Sequence, residues 1–254
     1  MTGRMCRKGA AGGLVAMWTI GCSAAAAMAL FITGEPAKAE HHEATQVLVL
    51  SKTAGYRHAS IPAGQAEILR IAREQGISVT FTEDATLFTD ESLARFGAVI
   101  FLNTTGDVLN PDQQASFERY IGEGHGLLGI HAATDTETDG KWPWFNRLIG
   151  AKFKSHPPVQ EAQLLPVGEA TQAIRHTDEW YDFKDAEPGR VPLMMIDRKS
   201  YDGSTANGIE PIVWTNEVDG ARAYYIGMGH TDESYESPVM HAYMTEGLLY
   251  ALGD

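Results

Sequence analysis

The sequence predicts an α/β protein of doubly wound type, and three features of the 254-residue chain carry that prediction. Short, continuously apolar runs recur between residues 46 and 131, as strands buried on both faces require. Segments with apolar residues at helical spacing separate them, so the strands are joined by crossovers and run parallel. Polar residues with chemical potential collect in the loops after the strands, while the turns before them are bland.

Residues 46–51 (QVLVLS) form the first strand. Ser60-Ile61-Pro62 opens a helix, since proline in the first turn removes no helical hydrogen bond. Ile68, Leu69, Ile71 and Ala72 give it an apolar face, and Gly76 ends it. A second strand covers 77–81, a short helix 87–94 and a third strand 98–102 (AVIFL). After a polar loop, residues 111–122 form an amphipathic helix and 126–131 (GLLGIH) a fourth strand. Beyond this the pattern loosens: a short helix over 142–149, strands near 160–165, 192–196, 211–214 and 223–226, and a closing helix over 238–252. No repeat or low-complexity tract intervenes, so residues 46–254 read as one domain with ample core.

The first 39 residues have the grammar of a removable signal peptide. Arg4, Arg7 and Lys8 precede an uncharged apolar run to Ile32, and Ala37-Lys38-Ala39 supplies a small-residue exit. The run is long enough to span a bilayer, so an uncleaved anchor is the alternative. Residues 40–45 read as a short disordered lead-in. The expectation is a periplasmic or secreted protein. The leader holds four basic residues (Arg4, Arg7, Lys8, Lys38) and one acidic (Glu35), so the formal charge of −13 becomes −16 without it. Such a chain is repelled by nucleic acid and, once the leader is gone, by anionic membrane. Both cysteines, Cys6 and Cys22, fall in the leader. The domain therefore has no disulfide, thiolate metal site or cysteine nucleophile.

In open α/β sheets ligands bind at the carboxyl ends of the strands. The loops there read KTAGYRH (52–58), NTTGD (103–107), GIHAATD (129–135) and GMGHTDESY (227–235). The opposite turns read EQG (74–76) and RFG (95–97).

KTAGYRH, NTTGDVL, GIHAATDTE, WPWF, FKSHP, DEWYDF and GMGHTDESY occur in that order, and with them the chain resembles the ThuA-like (trehalose utilisation) family over residues 46–252. The resemblance implies a flavodoxin-like, class I glutamine amidotransferase-like fold: a three-layer sandwich with a mostly parallel central sheet. It also implies an association with sugar metabolism. In the amidotransferase relatives a G-x-C-x-G elbow presents the nucleophile. Gly129-Ile130-His131-Ala132-Ala133 puts an imidazole there, which does not replace a thiolate in glutamine hydrolysis, so glutaminase chemistry is excluded. His230 resembles the relatives' catalytic histidine in position. One departure stands out: where family members carry Asp-His-Pro before a strand ending in Trp, this chain reads Asn207-Gly208-Ile209-Glu210-Pro211.

These readings select candidates. His131 and His230 are the expected catalytic pair, with Glu179 as third member, because imidazole transfers protons near neutral pH. His58, Asp107, Asp135, His156 and Glu233 are expected to bind substrate. Trp142 and Trp144 offer faces for sugar C–H groups, with ordinary core packing as the alternative. A divalent ion such as Zn2+ on His131, His230 and His156 is a chemical option, although no short ligand pair such as HExxH supports it. Otherwise these histidines hydrogen-bond loops and sugar hydroxyls. His125 and His241 are expected to be structural, and His176 is undecided. The functional expectation is an exported enzyme acting on a glycoside or oxidised sugar, with a non-catalytic sugar-binding module as alternative. Either way, positions 131 and 230 must face one shared pocket.

Overall fold

The computed structural model describes residues 45–137, 139–168 and 172–253. The expected leader, and all but the last residue of the lead-in, lie outside the described residues. In chain order the elements are β1 (Gln46–Leu50), α1 (Ile61–Gln75), β2 (Ser78–Thr82), α2 (Asp90–Leu93), β3 (Ala98–Leu102), α3 (Pro111–Gly122) and β4 (Gly126–Ile130). There follow α4 (Pro143–Ile149), β5 (Lys152–Ser155), β6 (Gln160–Pro166), β7 (Ile174–Asp178), β8 (Asp182–Lys184) and β9 (Val191–Asp197). The last are β10 (Ile209–Val218), β11 (Ala221–Ile226), α5 (Asp232–Tyr235) and α6 (Pro238–Leu252).

Nine strands form one sheet in the order β2-β1-β3-β4-β11-β10-β9-β6-β7, with β5 and β8 paired separately. The first five strands run parallel. The remaining pairings, from β11–β10 outward to β6–β7, are antiparallel. The sheet is thus mixed, parallel in the half where sequence periodicity was clearest. The switch has a local cause. Asp219 and Gly220 both take left-handed backbone angles, φ 55° and 82°, between β10 and β11. Two such residues make the tight turn that suits a right-twisted hairpin, and a hairpin reverses the chain.

Successive side chains of a strand point to opposite faces, and the buried strands use both. Val47, Val49, Ile100, Leu102, Leu128 and Ile130 join one cluster with α1 and α6 residues such as Ile68, Ile71, Met244 and Leu248. Leu48, Leu50, Val99, Phe101 and Leu127 join another with Phe117, Ile121, Phe145 and Leu148 of α3 and α4. This double burial explains why β3 and β4 carry no polar residue, and β1 only the half-buried Gln46 at its start. Gly126 allows α6 to close on β4: a Cβ there would stand 2.5 Å from the Ala251 carbonyl oxygen.

Candidate functional site

The carboxyl ends of β1, β4, β7 and β11 bring four side chains together. His131 follows β4 directly, is fully buried, and holds a left-handed φ of 49°, an unfavourable conformation for a residue with a Cβ. The turn is held by the Tyr225 hydroxyl, which donates to the His131 carbonyl at 2.8 Å. His131 Nδ1 lies 3.2 Å from the Gly227 carbonyl oxygen. A carbonyl only accepts, so Nδ1 carries a proton. The His131 Nε2 is 3.5 Å from Glu179 Oε2.

Asp178 sets the other half of the site. Fully buried at the end of β7, its carboxylate accepts from the backbone amides of Glu179 (2.8 Å), Gly229 (2.6 Å) and His230 (3.0 Å) and from the Ser234 hydroxyl (2.7 Å). One side chain thereby fixes the main chain of both Glu179 and His230. Burial would raise the Asp178 pKa, but the nearby His176 and His131, with hydrogen bonds from Ser234 and Gly229, hold it below the ordinary carboxylate range. His230 Nδ1 sits 3.1 Å from Glu179 Oε2, close but without hydrogen-bond alignment. The second Glu179 oxygen is 2.8 Å from His156 Nδ1.

His58 closes the cluster from the loop after β1. Its ring stands edge-on to those of His131 and His230, with centroids 4.9 and 5.1 Å away, and the latter two are 5.5 Å apart. Both His58 nitrogens, His131 Nε2 and His230 Nδ1 are buried without a hydrogen-bond partner among the described residues. Buried polar atoms are nearly always satisfied, so several orphans within one cluster call for an explanation. One donor atom from each of His58, His131, Glu179 and His230 falls within 4.8 Å of all the others, a spacing that can hold a metal ion.

The electrostatics suit that use. Burial, reinforced by His131 and His230, pushes the His58 pKa down to about 3, so its ring is neutral at physiological pH. Burial raises Glu179, but the flanking His131 and His230 outweigh it and bring the carboxyl to about 2. Glu179 in turn raises the His230 pKa. Asp135, in the same cleft, is lifted by burial to about 6. The cleft encloses about 370 Å³, with Tyr56, Phe153 and Tyr181 as aromatic walls. This volume is within the small-molecule range.

Six candidates therefore meet: His58, His131, His230, Glu179, His156 and Asp135. Four do not. Trp142 is buried, stacks on Phe145 at 4.9 Å, and donates its indole N–H to Glu118 at 2.7 Å. Trp144 stacks on Trp142 and packs against the same core. The WPWF motif starts α4, whose apolar face covers the sheet, so these rings are core. Glu233 is exposed in the first turn of α5, where an acid complements the helix dipole. Asp107 pairs with Lys141 at 2.6 Å in a different cleft. The group spaced to hold a metal ion also differs from the expected one: it includes His58 and not His156, which is engaged with the far oxygen of Glu179.

The sequence reading passed over Asp178 as an organiser and Tyr56 and Phe153 as walls. Tyr56 and Tyr181 lie within the singled-out motifs KTAGYRH and DEWYDF, and extended alternation past β7 separates Glu179 and Tyr181 from core Trp180. His125 stacks on Tyr120 at 4.2 Å and His241 pairs with Glu67 at 2.7 Å, both structural. His176 bonds Ser234 at 2.9 Å and so supports Asp178.

Fold and site together define a mixed α/β domain with a histidine–carboxylate pocket at its strand ends. Residues 46–251 match the ThuA family, described as trehalose utilisation, and the chain belongs to it. A ThuA-like protein from Bacteroides uniformis is similar in structure, with TM-score 0.69 and 22% identity, covering 86% of this chain and 95% of the other. One from Parabacteroides merdae has TM-score 0.68 and 19% identity, with 83% and 90% covered. A cold-adapted β-galactosidase from Rahnella sp. R3 shares the fold at TM-score 0.55 and 15% identity, over 83% of this chain and 32% of the enzyme. No curated protein matches the sequence.

Proposed function

We propose that this protein is an exported carbohydrate-processing enzyme whose site is built on His131, His230 and Glu179, which with His58 would hold a divalent ion such as Zn2+ beside Asp135 as the proton-transferring group. Membership of the trehalose-utilisation family supports a sugar as substrate. The observation that carries the chemistry is the convergence of unpartnered imidazole nitrogens on one Glu179 oxygen at the floor of the cleft. Imidazole nitrogens and a carboxylate are the donor set that zinc takes, and the His131 Nδ1 contact with Gly227 orients a ligand ring as outer contacts do in such sites. The ion would supply Lewis acidity toward a sugar oxygen.

The chain's own groups do the rest. Asp135, with a pKa near 6, accepts a proton from a sugar hydroxyl or acidified carbon at neutral pH. Tyr56, Phe153 and Tyr181 present rings to sugar C–H faces. The fold belongs to this reading as the three-layer sandwich of the amidotransferase relatives, supported by buried clusters served by both faces of the parallel strands. With cysteine only at positions 6 and 22, thiolate-dependent glutamine hydrolysis has no nucleophile in the domain. Export rests on the leader pattern of residues 1–39, and cleavage there predicts Glu40 at the mature N-terminus.

The test is incubation with trehalose, other glycosides and their keto-sugar forms, followed by NMR. Conversion of one by the wild type, reduced at least about 100-fold in His131→Ala and in His230→Ala, is the expected result. Saturable binding with the sugar unchanged assigns a binding module instead. Equal turnover in wild type and both variants overturns the site.

A further inference from the structure

A second cleft, of about 590 Å³, lies elsewhere and has no imidazole in its lining. Asp135 lines the histidine cleft, and Glu137, two residues on, lines this one. Glu137 is an unusual residue. Its φ is 57°, in the left-handed region, the residue is 1% exposed, and neither carboxylate oxygen has a hydrogen-bond partner among the described residues. A buried carboxylate without partners is strongly disfavoured. One oxygen each of Asp107, Glu137 and Asp139 lie within 4.8 Å of one another. The nearby ammonium groups do not answer Glu137. Lys141 Nζ bridges Asp107 and Asp139 at 2.6 Å each, and Lys52 Nζ donates to the Val108 carbonyl at 2.7 Å.

We propose that Asp107, Glu137 and Asp139 form a calcium site distinct from the histidine centre, for which Lys141 is a displaceable substitute cation. Three carboxylates and no nitrogen or sulfur donor are the ligands a hard cation takes, and calcium tolerates the irregular geometry that magnesium refuses. Lys141 marks where positive charge settles, and its side chain, 67% exposed, can swing away at little loss. A bound ion would satisfy Glu137 and brace the turn that carries His131 and Asp135.

The experiment is thermal unfolding of metal-stripped protein with calcium chloride alone, at pH 8, above the pKa of about 7 to which burial and Asp107 raise Glu137. At 10 mM calcium the Tm should rise by about 3–8 °C, and by less with magnesium. Glu137→Gln, which keeps the shape and removes the buried charge, should fold and lose the response. Lys141→Met should bind calcium several-fold more tightly by calorimetry, and His131→Ala should keep the wild-type response. Absence of any shift or binding heat at 10 mM, or a shift that survives Glu137→Gln, overturns the site. Neither result bears on sugar turnover at the histidine cleft.

Discussion

Replacing Asp178 with asparagine preserves volume and removes the charge that ties two segments of the candidate site together. The native carboxylate accepts four hydrogen bonds, two at each oxygen: Glu179 and His230 amides at Oδ1, the Gly229 amide and Ser234 hydroxyl at Oδ2. Asparagine keeps one acceptor oxygen, so two donors face an NH2 group. Hydrogen bonds to a charged group contribute about 1.5–3 kcal/mol each, so Asp178→Asn should lose about 3–5 kcal/mol. For a domain of this size that lowers the Tm by about 6–15 °C. The sign of the pH dependence is fixed by the depressed pKa. The stabilisation is complete above the unfolded value near 4 and fades as pH falls through the lower folded value, so variant and wild type converge in acid. Urea denaturation at pH 7.5 and pH 3 measures both quantities. A loss below about 1 kcal/mol at pH 7.5, or one unchanged at pH 3, would refute the idea that this carboxylate organises the site.

Further outcomes follow from the same geometry. If Asp135 is the proton acceptor, kcat/KM rises with pH through about 6, and Asp135→Asn removes that limb with about a 100-fold loss; an unchanged limb assigns the titration to another group. Gly229 has φ 125°, and a Cβ there would approach the Tyr235 hydroxyl to 2.6 Å. Gly229→Ala should therefore destabilise by about 2–4 kcal/mol, measured in urea, and displace His230; wild-type stability would mean the loop adapts freely. Trp142→Phe loses the bond to Glu118 and part of a buried ring, about 1–2 kcal/mol, while KM stays at the wild-type value because the ring is core. A raised KM at constant kcat would restore Trp142 as a sugar contact.

What the chain reveals unaided depends on how locally each feature is encoded. β1, β3 and β4 are legible because their residues buried on both faces must be apolar, α1 because Pro62 and Gly76 bracket it, and α3 because its capping box is explicit. β5, β7 and β8 (KFKS, IRHTD, DFK) are short, polar and only partly buried, so pattern alone is silent about them. The antiparallel half was signalled only by Asp219-Gly220. At the site, strand-end position found His58, His131 and His230, and motif resemblance found Glu179 and His156. Their pairing was not legible, because the choice of His58 over His156 around Glu179 depends on how loops far apart in sequence fold over each other. Trp142 and Trp144 misled for a related reason: an aromatic beside polar loops looks alike in sequence whether it faces a cleft or α3.

Whether His58, His131, His230 and Glu179 hold one ion can be measured directly. Tag-free protein, equilibrated with zinc and desalted, is assayed for metal by mass spectrometry, alongside Glu179→Gln and His58→Ala. One zinc per chain in the wild type, and a loss of at least about tenfold in occupancy in both variants, is the expected result. A folded wild type that retains no zinc or other divalent metal, or variants that retain as much as it does, would contradict a metal centre at this site.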